Sequence, residues 1–249
     1  MSENKHPPGL RILFFTEMWE RMSYYGMRGI LVLFMTASIS NGGLDFSNAS
    51  ASAIYGIYAA AVYLATLPGG WIGDNILGQQ KTILYGGIVI MLGHLTLAIP
   101  NMNFFYLGLT LVVIGTGLLK PNISAIVGGL YEKNPSLREA GFTIFYMAIN
   151  LGSILGFFIC GYLGENIGWH YGFGAAGIGM LLGVLQYTIK VNSLGKVGLE
   201  PTSSITEEIK NKYKKFFSVT SLIILIIIFS GFLGFWKIDP VPLANVLTV

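Results

Sequence analysis

The sequence predicts an all-α integral membrane protein, and three observations carry that prediction. Hydrophobic residues make up 53% of the 249 and charged residues only 11%, whereas a soluble domain carries about 25% charged residues. Mean hydropathy is +0.64, too apolar for a chain that must cover itself with water-facing groups. The apolar residues also gather into long stretches, at roughly 12–37, 51–73, 82–99, 104–130, 141–163, 170–191 and 217–236. A membrane-crossing helix needs roughly 20 such residues.

The first stretch is the least hydrophobic. A short polar segment, Met1 to Gly9, precedes it, and no small-residue cleavage site follows it, so it reads as a retained helix and not a signal peptide. The second stretch ends in a glycine-rich turn, and the third follows that turn at once. The fourth contains Lys120 and Pro121. The last is the clearest, with Ser221 to Phe235 almost wholly aliphatic or aromatic. Glycine is frequent, at 33 residues, and Gly69/Gly73, Gly152/Gly156 and Gly179/Gly183 recur four apart. In lipid such spacing favours close helix packing.

The loops set the orientation. Lys5, Arg11, Lys81, Lys133 and Arg138, and the lysines between 190 and 215, fall on one side; the loops at 38–50, 100–103 and 164–169 hold no Lys or Arg. The N-terminus is therefore expected in the cytoplasm. The one long connection, 192–216, divides six helices from one. Within it Ser204 and Glu207 form a possible capping box. The following Ile205, Ile209, Tyr213 and Phe216 suit either an amphipathic helix lying on the membrane face or a solvated linker helix. Three regions result: a bundle at 1–191, a linker at 192–216, and a seventh helix with a tail at 217–249.

Several function classes are excluded. A net charge of +3 with no basic stripe gives nucleic acid no partner surface. Cys160 has no second cysteine to bond and reads as a packed small hydrophobe. His6, His94 and His170 are scattered, with no nucleophile–base or metal spacing, so neither an enzyme nor a metal cofactor is expected.

The informative residues are charges placed where charge is expensive. Glu17, Glu20, Arg21, Arg28 and Lys120 all fall inside predicted spans. Each would cost roughly 2.5–3.5 kcal/mol at a bilayer centre on insertion scales, so they must face a protein interior or a water-filled path. Glu17, Arg21, Tyr24, Tyr25 and Arg28 recur at helical spacing and share one face. Glu17 precedes Arg21 by four, the favourable order for an ion pair. Lys120 sits beside Pro121, which weakens the helix by removing a donor, and Glu17 and Glu20 are the acids at similar depth. Two readings stay open: ion pairs that lock helices together, or a polar cavity with a titrating acid–lysine switch. Tyr63, Tyr146 and Asn150 are further polar candidates for such a cavity. Between the second and third spans, Gly70, Asp74, Gly78 and Lys81 bound a tight turn. Asp74 could accept bonds from a helix N-terminus there and act as a latch.

These residues carry a family resemblance. The turn resembles the G-x-x-x-D-x-x-x-G-x-x-K signature of the major facilitator superfamily. The run Glu17-Met-Trp-Glu20-Arg21-Met-Ser-Tyr24-Tyr25-Gly26 is similar to the E-x-x-E-R-F-x-Y-Y-G motif of proton-dependent oligopeptide (POT/PTR) transporters, with Met22 in place of its Phe. Gly69 to Leu95, Phe145 to Ser153, and Leu119-Lys120-Pro121-Asn122 resemble that family's other signature regions. The likeness covers about residues 7–191 and implies a six-helix N-terminal bundle of major facilitator type; the seventh helix, read from its apolar stretch, carries no motif of the family.

The resemblance also implies function. It makes the chain a proton-coupled symporter of di- and tripeptides in the bacterial inner (plasma) membrane, with protons as coupling ion and no other cofactor. Glu17, Glu20 and Arg21 would couple protons, with Lys120 as their salt-bridge partner. Arg28 and Lys120 would attract the substrate carboxylate; Tyr25, Tyr63 and Asn150 would meet the peptide backbone, with Tyr146 beside them. Gly70, Asp74, Gly78 and Lys81 would form the gating loop. The family has two six-helix halves, and this chain corresponds to the first, so a C-terminal half is an expected partner besides the lipid bilayer. The alternatives are a truncated remnant that does not transport, and a carrier of another small solute.

Overall fold

Six long helices follow one another in the computed structural model. The structure describes residues 5–202 and, beyond them, Lys215. The helices are α1 (Pro8–Thr36), α2 (Asn48–Ile72), α3 (Gln79–Leu97), α4 (Met102–Gly129), α5 (Arg138–Asn166) and α6 (Trp169–Lys190). Each matches an expected stretch to within a few residues. No strand occurs among the described residues. The seventh stretch and the helix expected after Ser204 lie outside them.

Local chemistry sets the ends. Pro8 opens α1 at a position where a missing N–H costs nothing. The Ser47 side chain caps α2 by accepting from the Ser50 N–H at 3.1 Å. Asn101 does the same for α4 through the Asn103 N–H at 2.9 Å. One boundary differs from expectation. Asp74 does not close α2, because a π-helical turn continues it over Gly73–Leu77. The Asn75 side chain supports that wider turn by donating to the Trp71 carbonyl at 2.9 Å.

Four helices among the described residues are long and apolar enough to cross a membrane: Asn48–Leu77, Met102–Gly129, Pro135–Asn166 and Trp169–Leu194. Large apolar side chains such as Leu67, Phe158 and Ile189 stand at least 70% exposed on the outer faces. A water-soluble monomer does not present so many such groups.

α1 is central. It packs against α5 and α6, while α3 packs on α4 and α6, and α2 on α4. All three expected glycine pairs fall at these seams. Gly69 lies so close to α4 that an added methyl would overlap the Gly117 carbonyl, and Gly73 faces Asn122. Gly152 and Gly156 lie on the backbone of α1 at Met18 and Met22; Gly179 and Gly183 receive Met22 and Trp19. Gly152→Leu should therefore push α5 off α1. Overpacking costs about 1–3 kcal/mol, and backbone on the far side places this change at the upper end. A fall in melting temperature in detergent checks it; an unchanged melt would show that the seam can widen freely.

The core divides into two apolar clusters. One gathers Leu10, Leu13, Ile83, Ile123, Ile126 and Tyr187. The other gathers Met27, Ile30, Phe34, Tyr58, Phe105 and Phe173. Along α1 the charged residues Glu17, Glu20 and Arg21 fall between these clusters, which sets the polar site at mid-height in the bundle.

Candidate functional site

Arg21 is the hub of the site. It is 2% exposed, beside Glu17 at 2% and Glu20 at 0%. The helical period brings Glu17, one turn earlier, onto the same face, and Arg21 Nε meets Glu17 Oε1 at 3.1 Å. The same Nε donates to Glu20 Oε2. The guanidinium also lies over the Tyr24 ring at 5.0 Å and the Tyr25 ring at 5.8 Å, where the aromatic face attracts a cation. Glu17 Oε2, Glu20 Oε1 and Arg21 Nη2 are buried with no hydrogen-bond partner among the described residues.

A cavity of about 310 Å³ opens beside this cluster, between α1, α2 and α4. Arg21, Tyr25, Arg28, Tyr63 and Lys120 all line it, as the sequence led us to expect, together with Tyr24, Thr116 and Ser124. Among the described residues three that line it are cations and none is an acid. The wall therefore favours an anionic group.

Lys120 differs from expectation in one respect. No carboxylate lies within ion-pair distance of it among the described residues, because Arg21 holds both acids. Arg21 wins by position: it shares a helix with Glu17 and Glu20, whereas Lys120 must reach across from α4. Lys120 instead turns its half-buried side chain to the cavity.

Arg28 has a partner that the sequence reading passed over. Its Nε donates to the Tyr55 hydroxyl, and its guanidinium lies over the Tyr55 ring at 5.2 Å. The available signal was spacing: Tyr55 precedes Tyr63 by eight residues, about two helical turns, and so shares its side of α2.

Tyr146 and Asn150 do not line this cavity. Both sit on the outer face of α5, with Tyr146 55% exposed. The turn residues lie at one end of the bundle. Gly70 packs on Pro121, next to Lys120. Asp74 Oδ1 accepts from the Gln79 side chain at 2.9 Å, at the first residue of α3. Gly78 turns the chain with φ of +80°, and Lys81 is exposed in the first turn of α3.

A family model described as the POT family (PTR2) matches residues 80–213, more than half of the chain. The chain belongs to the POT family. Similarity to known POT-like proteins extends well beyond the matched region. The chain is 50% identical over 195 residues to the uncharacterized transporter YclF of Bacillus subtilis (strain 168), covering 78% of this chain and 40% of that protein. It is 42% identical over 243 residues to a di-/tripeptide transporter of Lactococcus lactis subsp. cremoris, covering 96% of this chain and 48% of that one. The crystal structure of a peptide transporter POT in complex with sulfate superposes with a TM-score of 0.89 at 40% identity, covering 99% of this chain and 50% of that chain. The chain thus has the POT transporter fold and spans about half the length of the curated relatives it matches. POT proteins are integral membrane transporters and not enzymes.

Proposed function

We propose that this chain forms the N-terminal half of a proton-coupled symporter of di- and tripeptides. The observation that carries the proposal is the cavity: Arg21, Arg28 and Lys120 converge on one space whose lining, among the described residues, holds tyrosines and no acid. A peptide carboxylate suits Arg28 and Lys120, since Arg21 is engaged by Glu17 and Glu20. Tyr25 and Tyr63 offer hydroxyls to the peptide backbone. Contacts to backbone and termini, which all peptides share, allow many side chains.

Protons enter through the acids. Among the described residues, Glu17 and Glu20 each keep one oxygen without a partner beside a single shared arginine. Protonating either acid weakens its hold on Arg21 and alters the charge facing the cavity. That change biases the inward–outward equilibrium, since the two states then differ in free energy. No further cofactor enters this scheme.

In this reading residues 1–191 are the bundle and all six helices span the bilayer, with the N-terminus in the cytoplasm of a bacterial inner membrane. Residues 192–216 are the linker and 217–249 carry a seventh span. The loop alternation and the length shared with the relatives support this arrangement. A C-terminal half completes the machine, and the exposed Tyr146 and Asn150 stand ready to face it. Gly70, Asp74, Gly78 and Lys81 gate one side.

Proteoliposomes test the function. The purified chain with the C-terminal half of the Lactococcus relative supplied in trans should accumulate labelled dipeptide under an imposed proton gradient, and the chain alone should not. Uptake indifferent to the gradient, or competed by nitrate or sugars and not by dipeptides, would overturn the proposal. Within the same assay, Tyr55→Phe removes the hydroxyl that receives Arg28 while keeping the ring. One hydrogen bond contributes about 0.5–1.5 kcal/mol net, so KM should rise severalfold at nearly constant maximal rate.

A further inference from the structure

The segment after α6 is bound to the bundle as a strap. Val191–Leu194 forms a 3-10 turn and buries Leu194, which faces Gly9 of α1. Beyond it the chain crosses to the α2–α3 turn. Gln80, 7% exposed, is the anchor. Its Nε2 donates to the carbonyls of Gly195 at 3.0 Å and Val197 at 2.8 Å. Its backbone N–H donates to the Gly198 carbonyl at 2.9 Å. α3 has no side-chain cap, and the first N–H groups of a helix lack internal partners. The Gly198 carbonyl therefore serves as the cap of α3.

Two more bonds complete the tie. The Tyr187 hydroxyl, near the end of α6, donates to the Gln80 carbonyl at 3.0 Å. The Thr202 N–H donates to the Asp74 carbonyl at 2.9 Å. Two glycines in the left-handed region let the backbones meet. Gly78 (φ +80°) lies against the Leu199 carbonyl, and Gly198 (φ +68°) against the Gln79 side chain and Ile126. A side chain at either would be strained and would part the two segments.

We propose that residues 194–202 are a strap that locks the α2–α3 turn to the end of α6, so that the turn moves only when the strap lets go. Its meaning as a regulator rests on the gating role proposed above for that turn. Both segments then form one cooperative unit, with Gln80 as the shared post.

Amide hydrogen exchange on the full chain in lipid nanodiscs tests this without substrate or gradient. Gln80→Leu keeps the bulk and removes two bonds; Gly198→Ala acts from the strap side. In both variants the amides of 195–202 and of 78–82 should exchange about tenfold faster, the effect of losing one or two hydrogen bonds, with α5 unchanged. Faster exchange in 195–202 with 78–82 at the wild-type rate would overturn the proposal, as would no change in either. The wild-type chain gives a check that no folding defect can spoil: as denaturant rises, the two segments should open together. Separate openings would also overturn it. Since no transport is measured, the strap can fail while peptide uptake stands, and the reverse.

Discussion

Lys120→Ala should abolish proton-driven dipeptide uptake in the completed transporter. Of the three cations at the cavity, Arg21 is held by two acids and Arg28 by Tyr55. Lys120 has neither kind of partner among the described residues and faces the cavity. It is therefore the cation most open to the substrate carboxylate, and the one that a rearranged Glu17 or Glu20 would meet. A hydrogen bond to a charged group contributes about 1.5–3 kcal/mol, so peptide affinity should fall tenfold to a hundredfold. Loss of the acid–lysine exchange should remove coupling as well, leaving at most exchange down a peptide gradient. Lys120→Arg should retain part of the affinity. Gradient-driven accumulation by Lys120→Ala at the wild-type rate would sink the charge-switch mechanism.

Arg21→Leu should cause the largest loss of stability of any single change in the site. Glu17 and Glu20 are fully enclosed, and Arg21 forms an ion pair with each. Removing one partner of a buried ion pair typically costs about 3–5 kcal/mol, because the charge left behind has neither water nor a counterion. Here two acids are left. The melting temperature in detergent should drop sharply. A triple variant, Glu17→Gln with Glu20→Gln and Arg21→Leu, should recover much of the loss, because it removes the stranded charge along with its partner. That recovery is the signature of coupling. If Arg21→Leu melts like the wild type, the acids have another partner and the hub assigned to Arg21 is wrong.

The site was only partly legible in the sequence. The α1 face was readable because one helix fixes its own periodicity: Glu17, Arg21, Tyr25 and Arg28 had to lie together whatever surrounded them. Tyr63 and Lys120 were found because polar groups in apolar spans stand out. Tyr55 was missed because a tyrosine near the end of a span is unremarkable until its neighbour is known to be Arg28. Tyr146 and Asn150 carry the same chemistry as the cavity residues, yet α5 turns them to the outside of the bundle.

The family signature named Lys120 as the salt-bridge partner of the acids, whereas in this structure Arg21 holds both. The expected pairing is chemically compatible, but the helical period already sets Arg21 beside both acids, whereas Lys120 must reach across from α4. The connection after α6 gives the opposite lesson. Read as a sequence, 192–202 is polar and glycine-bearing, the composition of a solvated linker. Backbone carbonyls make it a strap, and a carbonyl has no sequence signature.

The sequence by itself determined the class of protein, the six helices now described, the glycine seams between them and the charged face of α1. All of these follow from composition and from the 3.6-residue period, which act within a single segment. Only the tertiary structure decided which helices line the cavity, that Arg28 meets Tyr55, and that the chain after α6 caps α3. Those outcomes depend on contacts between residues far apart in the chain, and their free energy exists only once the helices have packed.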